Sequence, residues 1–144
     1  MKRHEALAPL SREHHSTLIL AQLLKKDAPE YKGLPSLLTD KASYAKQQFE
    51  TIIQKHFQQE EIILDKTKDC HPDIKTLAAE IMQEHRQLTA LFKSIDTTTN
   101  LVDTLDDLAK TLQEHIRKEE RVLFPLLQQH CNETLLQQIH IDLH

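Results

Sequence analysis

Apolar residues recur along this chain at every third or fourth position, the period of helices that bury one face. One stripe runs Leu101, Leu105, Leu108, Leu112, His115, Glu119, Val122 and Leu126. Another runs Leu38, Ala42, Ala45, Phe49, Ile52, His56, Glu60 and Ile63. Each is apolar apart from a histidine and a glutamate one turn apart. Such a pair shares a helix face and can reach one point in space. Buried without partners, both groups would cost on the order of several kcal/mol. Something in the core must satisfy them, and a metal ion is the economical choice.

The same periodicity predicts two further helices. The first covers about residues 7–26, with Leu7, Leu10, His14, Ala21 and Leu24 inward and Pro9 and Ser11 near its start. A connector with two prolines and the only glycine follows over residues 28–35. The second helix then runs from Ser36 to about Lys66, and a short turn spans residues 67–71. Pro72 suits a first helical position. The third helix carries Ile74, Leu77, Ala78, Ile81, Met82, His85, Leu88, Phe92 and Ile95 on one side, with His85 its one strongly polar member. Residues 96–100 break the pattern, and the fourth helix runs from about Val102 through Glu119. Pro125, lacking an N–H, should kink or end it. Residues 132–144 can form a short amphipathic helix through Leu135, Leu136 and Ile139. Four striped helices with short connectors predict an all-α, up-down-up-down four-helix bundle with a short C-terminal helix or tail. Residues 1–144 are expected to make one domain.

Composition agrees. One glycine and five prolines in 144 residues leave few turns, and good helix formers dominate. The formal net charge of −4 is mixed along the chain, with no Lys/Arg cluster to suggest a nucleic-acid surface. No apolar run is long enough for a membrane span or a signal peptide, so a cytoplasmic location is expected. Cys70 and Cys131 fall in predicted loops without Cys-x-x-Cys spacing and read as free thiols.

With a rise of roughly 1.5 Å per residue, antiparallel packing brings His56, His85 and His115 to one layer. The first helix adds His14 or His15; its periodicity favours His14, and the depth of His14 requires an offset start. The expected metal set is therefore His14 or His15 with His56, Glu60, His85, His115 and Glu119. By chance alone, ten histidines and twelve glutamates would give His-x-x-x-Glu about once. Surface His–Glu pairs at this spacing also stabilise helices. The weight lies instead in both copies and His85 facing the core at one depth. Four imidazoles and two carboxylates exceed one tetrahedral zinc and suit two octahedral ions, two histidines on each and both carboxylates bridging. Iron fits such donors, with manganese or zinc less specific. Glu61 and Glu120 are expected to be solvated or to support the ligands, and Glu13 and Glu84 to be exposed. Phe49, Phe57, Phe92 and Phe124 should be core or site walls.

These residues resemble the hemerythrin-like HHE cation-binding family. The match is Arg12-Glu13-His14-His15, His56-x-x-x-Glu60-Glu61, Glu84-His85-Arg86-Gln87-Leu88, and His115-x-x-x-Glu119-Glu120 with Leu123-Phe124-Pro125. The resemblance implies a four-helix bundle with a non-haem di-iron centre that handles O₂, nitric oxide or iron. Oxygen-carrying members resemble a pattern with further histidines on the third helix, where this chain has Ile81 and Thr89. The chain looks like the four-histidine, two-glutamate variant found among iron sensors and nitrosative-stress proteins.

Three functions are therefore in view. One is a di-iron protein that binds or senses O₂ or nitric oxide, or supplies iron. Another is a redox enzyme acting on O₂, peroxide or nitric oxide. The third is a structural bundle without functional metal. No dedicated proton donor or substrate pocket is legible, which favours metal and gas binding over turnover. No protein partner can be named from the residues, so any signalling role would need one in trans.

Overall fold

Pro9 occupies the first turn of α1 (Ala8–Leu24), where its missing N–H costs nothing. The chain leaves α1 through Lys25 in an extended conformation, and the buried Asp106 carboxylate accepts the Lys26 N–H at 3.0 Å. Gly33 takes a φ of +81° in the following connector, a value that favours glycine. α2 covers residues 38–67, α3 is Pro72–Ser94, α4 covers residues 101–130 and α5 is Glu133–Leu143. His71, Asn100 and Asn132 cap α3, α4 and α5, accepting the N–H of Asp73, Asp103 and Leu135. This computed structural model describes residues 2–144, and all regular structure among them is helical. Among the described residues, no helix is long and apolar enough to cross a membrane.

Two helices contain a wide π-helical turn. In α2 it is Phe49–Ile53, and in α4 it is Glu119–Leu123. Each inserts a residue into the inward stripe and moves the following face round by one position. Ile53 is therefore buried where the regular period pointed to Ile52, and Leu123 and Leu127 are buried where it pointed to Val122 and Leu126. Val122 is 45% exposed.

Of the kink or end expected at Pro125, the end is corrected, because α4 continues through it to His130. The π-turn gives the reason. Phe124 N–H bonds back to Glu119 C=O, so the next amide would serve Glu120 C=O, and that amide belongs to Pro125. The Arg3 guanidinium donates to the Glu120 carbonyl instead, at 3.0 Å. The helix loses one backbone bond, and a side chain from the N-terminal segment replaces it.

Two apolar clusters fill the interior on either side of one polar layer. One gathers Leu20, Leu24, Phe49, Phe92, Leu105 and Leu112 with their neighbours. The other gathers Leu10, Ile63, Ile74, Ile81, Phe124 and Leu127, and Leu136 and Ile139 of α5 close it. Each fully buried Leu, Ile or Phe contributes about 1.5–3 kcal/mol. That apolar mass carries the cost of the polar layer between the clusters.

Candidate metal centre

The layer contains His14 from α1, His56 and Glu60 from α2, His85 from α3, and His115 and Glu119 from α4, all buried. They form two groups: His14, His56, Glu60 and Glu119, and then Glu60, His85, His115 and Glu119. Within each group, one ligand atom per residue lies within 4.8 Å of the others. Both carboxylates belong to both groups.

The distances suit a cation. His14 Nε2 lies 3.1 Å from Glu119 Oε1 and 3.7 Å from Glu60 Oε2. His56 Nε2 and His85 Nε2 are each 3.2 Å from Glu60 Oε1, and His115 Nε2 is 3.0 Å from Glu119 Oε1. Adjacent ligands of an octahedral ion, each about 2.1 Å from it, are separated by about 3.0 Å. The side chains already stand near the edges of such a polyhedron.

Four further carboxylates close round the histidines. Glu13 of α1 meets His56 Nδ1 at 3.1 Å, and Glu61 of α2 meets His85 Nδ1 at 3.0 Å. Glu84 of α3 meets His115 Nδ1 at 2.7 Å, and Glu120 of α4 meets His14 Nδ1 at 2.8 Å. Each helix thus supports the histidine of the next, and the last returns to the first. An ionised carboxylate has no proton to give, so every Nδ1 carries the hydrogen and donates it. That leaves every Nε2 lone pair aimed inward, the arrangement of carboxylate–histidine–metal triads.

The inner atoms lack partners of their own. Among the described residues, seven buried side-chain nitrogen or oxygen atoms have no hydrogen bond. Six of them are both oxygens of Glu60, both of Glu119, and Nε2 of His85 and His115. His14 Nε2 and His56 Nε2 face each other at 3.0 Å. Bare lone pairs at that distance repel unless a positive charge sits among them. The donor set therefore fits a metal cation on its own chemistry.

Without a metal, protons take that role. Burial pulls the His14 imidazole down, but the nearby carboxylates of Glu119, Glu120 and Glu60 outweigh it and push the group up to about 12. His56 is likewise lowered by burial but raised by Glu60 and Glu13, to about 9. His115 is lowered by burial but raised by Glu119 and Glu84, to about 10. Burial works to raise Glu60, yet the charge of His56 and the contact with His14 hold this carboxyl well below its usual value.

Aromatic rings wall the layer. Phe57 stacks on His85 with centroids 4.1 Å apart and meets His115 edge-on. Phe124 stacks on His14 at 5.6 Å, and the Arg3 guanidinium lies over the Phe124 ring, 5.3 Å from its centroid. Phe49 and Phe92 stack on each other in the apolar cluster. A cleft of about 240 Å³ opens beside His85 and Phe57, edged by Gln54, Gln58, Glu61, Arg86 and Thr89.

Of the expected set, His14, His56, Glu60, His85, His115 and Glu119 converge. His15 does not: it is exposed on the outer side of α1, about 100° round the helix from His14. Glu13 and Glu84 require correction, since both are partly buried against the converging histidines. Their position just before a histidine was the available signal, because in Glu-His on α1 and α3 the glutamate faces the neighbouring helix. Arg3, Ser11 and Lys118 have no sequence signal of this kind. Ser11 Oγ donates to Glu120 at 2.8 Å, and Lys118 Nζ donates to Glu84 at 2.8 Å.

Helices that converge imidazoles and carboxylates on a buried layer define a cation-binding helical domain. The chain belongs to a family of that class, since the family model of the hemerythrin HHE cation-binding domain matches residues 5–127. No curated protein and no solved structure matches the chain.

Proposed function

We propose that residues 1–144 form one up-down-up-down bundle that holds two bridged non-haem iron ions and binds O₂ or nitric oxide. The observation that carries this reading is the sharing of Glu60 and Glu119 between two histidine pairs. His14 and His56 would hold one ion, and His85 and His115 the other. Four protein donors per ion leave room for solvent or a diatomic ligand in an octahedral shell. Mixed imidazole and carboxylate donors favour iron, with zinc and manganese as alternatives. Bound iron would supply electron transfer and open coordination positions.

The chain's own groups do the rest. Glu13, Glu61, Glu84 and Glu120 fix the histidine tautomers and ring planes. Phe57, Phe124 and the two apolar clusters keep bulk water away. The cleft beside His85 is the approach for a small ligand. The bundle topology draws support from two ion-dipole and ion-pair contacts. Asp106, near the start of α4, bonds Lys26 just after α1, and Lys46, early in α2, pairs with Asp96 just after α3. The free thiols fit a reducing compartment, the cytoplasm.

Anaerobic iron loading followed by exposure to each gas tests the reading. Two irons per chain and a gas-dependent optical change are expected; a fully loaded sample with no such change rejects ligand binding. The cleft also favours a second reading, turnover of O₂, peroxide or nitric oxide by the same centre. Consumption of oxidant beyond the amount of bound iron would establish it, and strictly stoichiometric consumption would reject it.

A further inference from the structure

Cys70 and Cys131 are separated by 61 positions in the chain, yet their sulfurs lie 2.9 Å apart. Cys70 sits in the turn between α2 and α3, partly buried, and Cys131 ends α4, buried. Both backbones are held, Cys70 N–H by Thr67 C=O and Cys131 N–H by Leu127 C=O, each at 2.9 Å. The neighbouring residues clamp the two segments together, since the rings of His71 and His130 stack with centroids 4.0 Å apart. Among the described residues no third donor joins the two sulfurs in a metal-holding group. Neither thiol is used by the metal centre.

We propose that Cys70 and Cys131 are a peroxide-reactive thiol pair that closes reversibly into an intramolecular disulfide. The sulfurs need to approach by only about an ångström to reach bonding distance. The exposures assign the order of events. The Cys70 thiolate, reachable from solvent, attacks one oxygen of hydrogen peroxide. The O–O bond breaks, Cys70 becomes a sulfenic acid, and the other oxygen leaves as water after taking a proton. The Cys131 sulfur then attacks the Cys70 sulfur. The S–S bond forms, the S–O bond breaks, and the Cys131 proton leaves with the hydroxide as a second water. Two thiols lose two electrons and two protons, and one peroxide becomes two waters. Burial and the contact with Cys70 push the Cys131 thiol up to about 12, so it stays protonated until its partner is oxidised. A dithiol reductant reverses the reaction by exchange.

The disulfide staples the α2–α3 turn to the end of α4, the helix whose Phe124 walls His14. It closes a long loop, and the melting temperature is expected to rise by roughly 5–10 °C. None of this depends on the metal reading, so either can fail alone.

The test uses the full chain as purified, reduced and then treated with a small excess of hydrogen peroxide before alkylation and mass spectrometry. The expected product is a monomer lighter by two hydrogens, with one cross-linked peptide containing Cys70 and Cys131. It has the higher melting temperature and is restored by dithiothreitol. In Cys131→Ser, a dimedone adduct is expected on Cys70; in Cys70→Ser, Cys131 should stay unmodified. If Cys131→Ser does not fold, Cys70→Ser and the wild-type cross-link still decide. Thiols that remain alkylatable, oxidise past sulfenic acid, or link separate chains would overturn the proposal. So would stoichiometric zinc released when the thiols are alkylated. A dimedone adduct on Cys131 in Cys70→Ser would overturn the assignment of Cys70 as the attacking group.

Discussion

The His14–His56 half of the centre and the His85–His115 half present the same inner atoms, but their surroundings differ. In the first, Glu120 is gripped by Ser11 and Arg3, and Phe124 covers the His14 ring. In the second, Glu84 is gripped by Lys118, which also pairs with Glu80, and Phe57 covers the His85 ring beside an open cleft. The inner likeness follows from repeated units, Glu-His on α1 and α3 and His-x-x-x-Glu-Glu on α2 and α4. The outer difference comes from residues that do not repeat. The converging groups and their supports are thus set by different parts of the chain, and the second half is the one beside the His85 cleft.

The largest effect should come from the shared carboxylates. Glu119→Ala is expected to remove both ions, whereas His115→Ala should leave about one of two, as read by elemental analysis of folded protein. Retention of a full ion in Glu119→Ala would break the bridge between the halves. Next come the supports. Glu120→Gln and Glu84→Gln should each weaken metal binding by about 10–100-fold, measured by chelator competition. Each should act on its own half, so spectroscopic signatures of the two ions would separate them.

The pH dependence of the metal-free protein addresses both halves together. His56 and His115 are lifted from 6.5 to about 9 and about 10, and His14 to about 12. A raised histidine contributes its full stability below 6.5 and loses it as pH rises through the folded value. The melting temperature without metal should therefore fall steadily from pH 6.5 to about 9 and beyond. Metal affinity should climb over the same range as protons leave the Nε2 atoms. A metal-free melting temperature that rises with pH there would contradict the carboxylate–imidazole contacts.

The smallest effect should be Arg3→Ala, which strands the Glu120 carbonyl and loosens support in the first half alone. A loss of about 1 kcal/mol is expected, seen as a drop of a few degrees in melting temperature, with the His85–His115 half unchanged.

Much of this was legible from residue types at helical spacing. His56, Glu60, His85, His115 and Glu119 announce themselves because each is a polar group on an apolar stripe. His14 needed the structure to separate it from His15, since apolar residues lie one turn beyond both. The π-turns were not legible. A strict 3.6-residue period predicts Ile52, Val122 and Leu126 inward, and one inserted residue in each helix moves the burial to Ile53, Leu123 and Leu127. Nor was the tolerance of Pro125, which depends on a hydrogen bond from Arg3, more than a hundred positions away. The sulfur contact was hidden for the same reason, because only the packed helix ends bring Cys70 to Cys131.

The most direct test is a count of iron atoms in the folded chain after anaerobic loading and removal of loose metal. Two per chain, falling to none in Glu60→Ala, is the predicted result. A single tightly held ion, or an amount that Glu60→Ala leaves unaltered, would contradict the account.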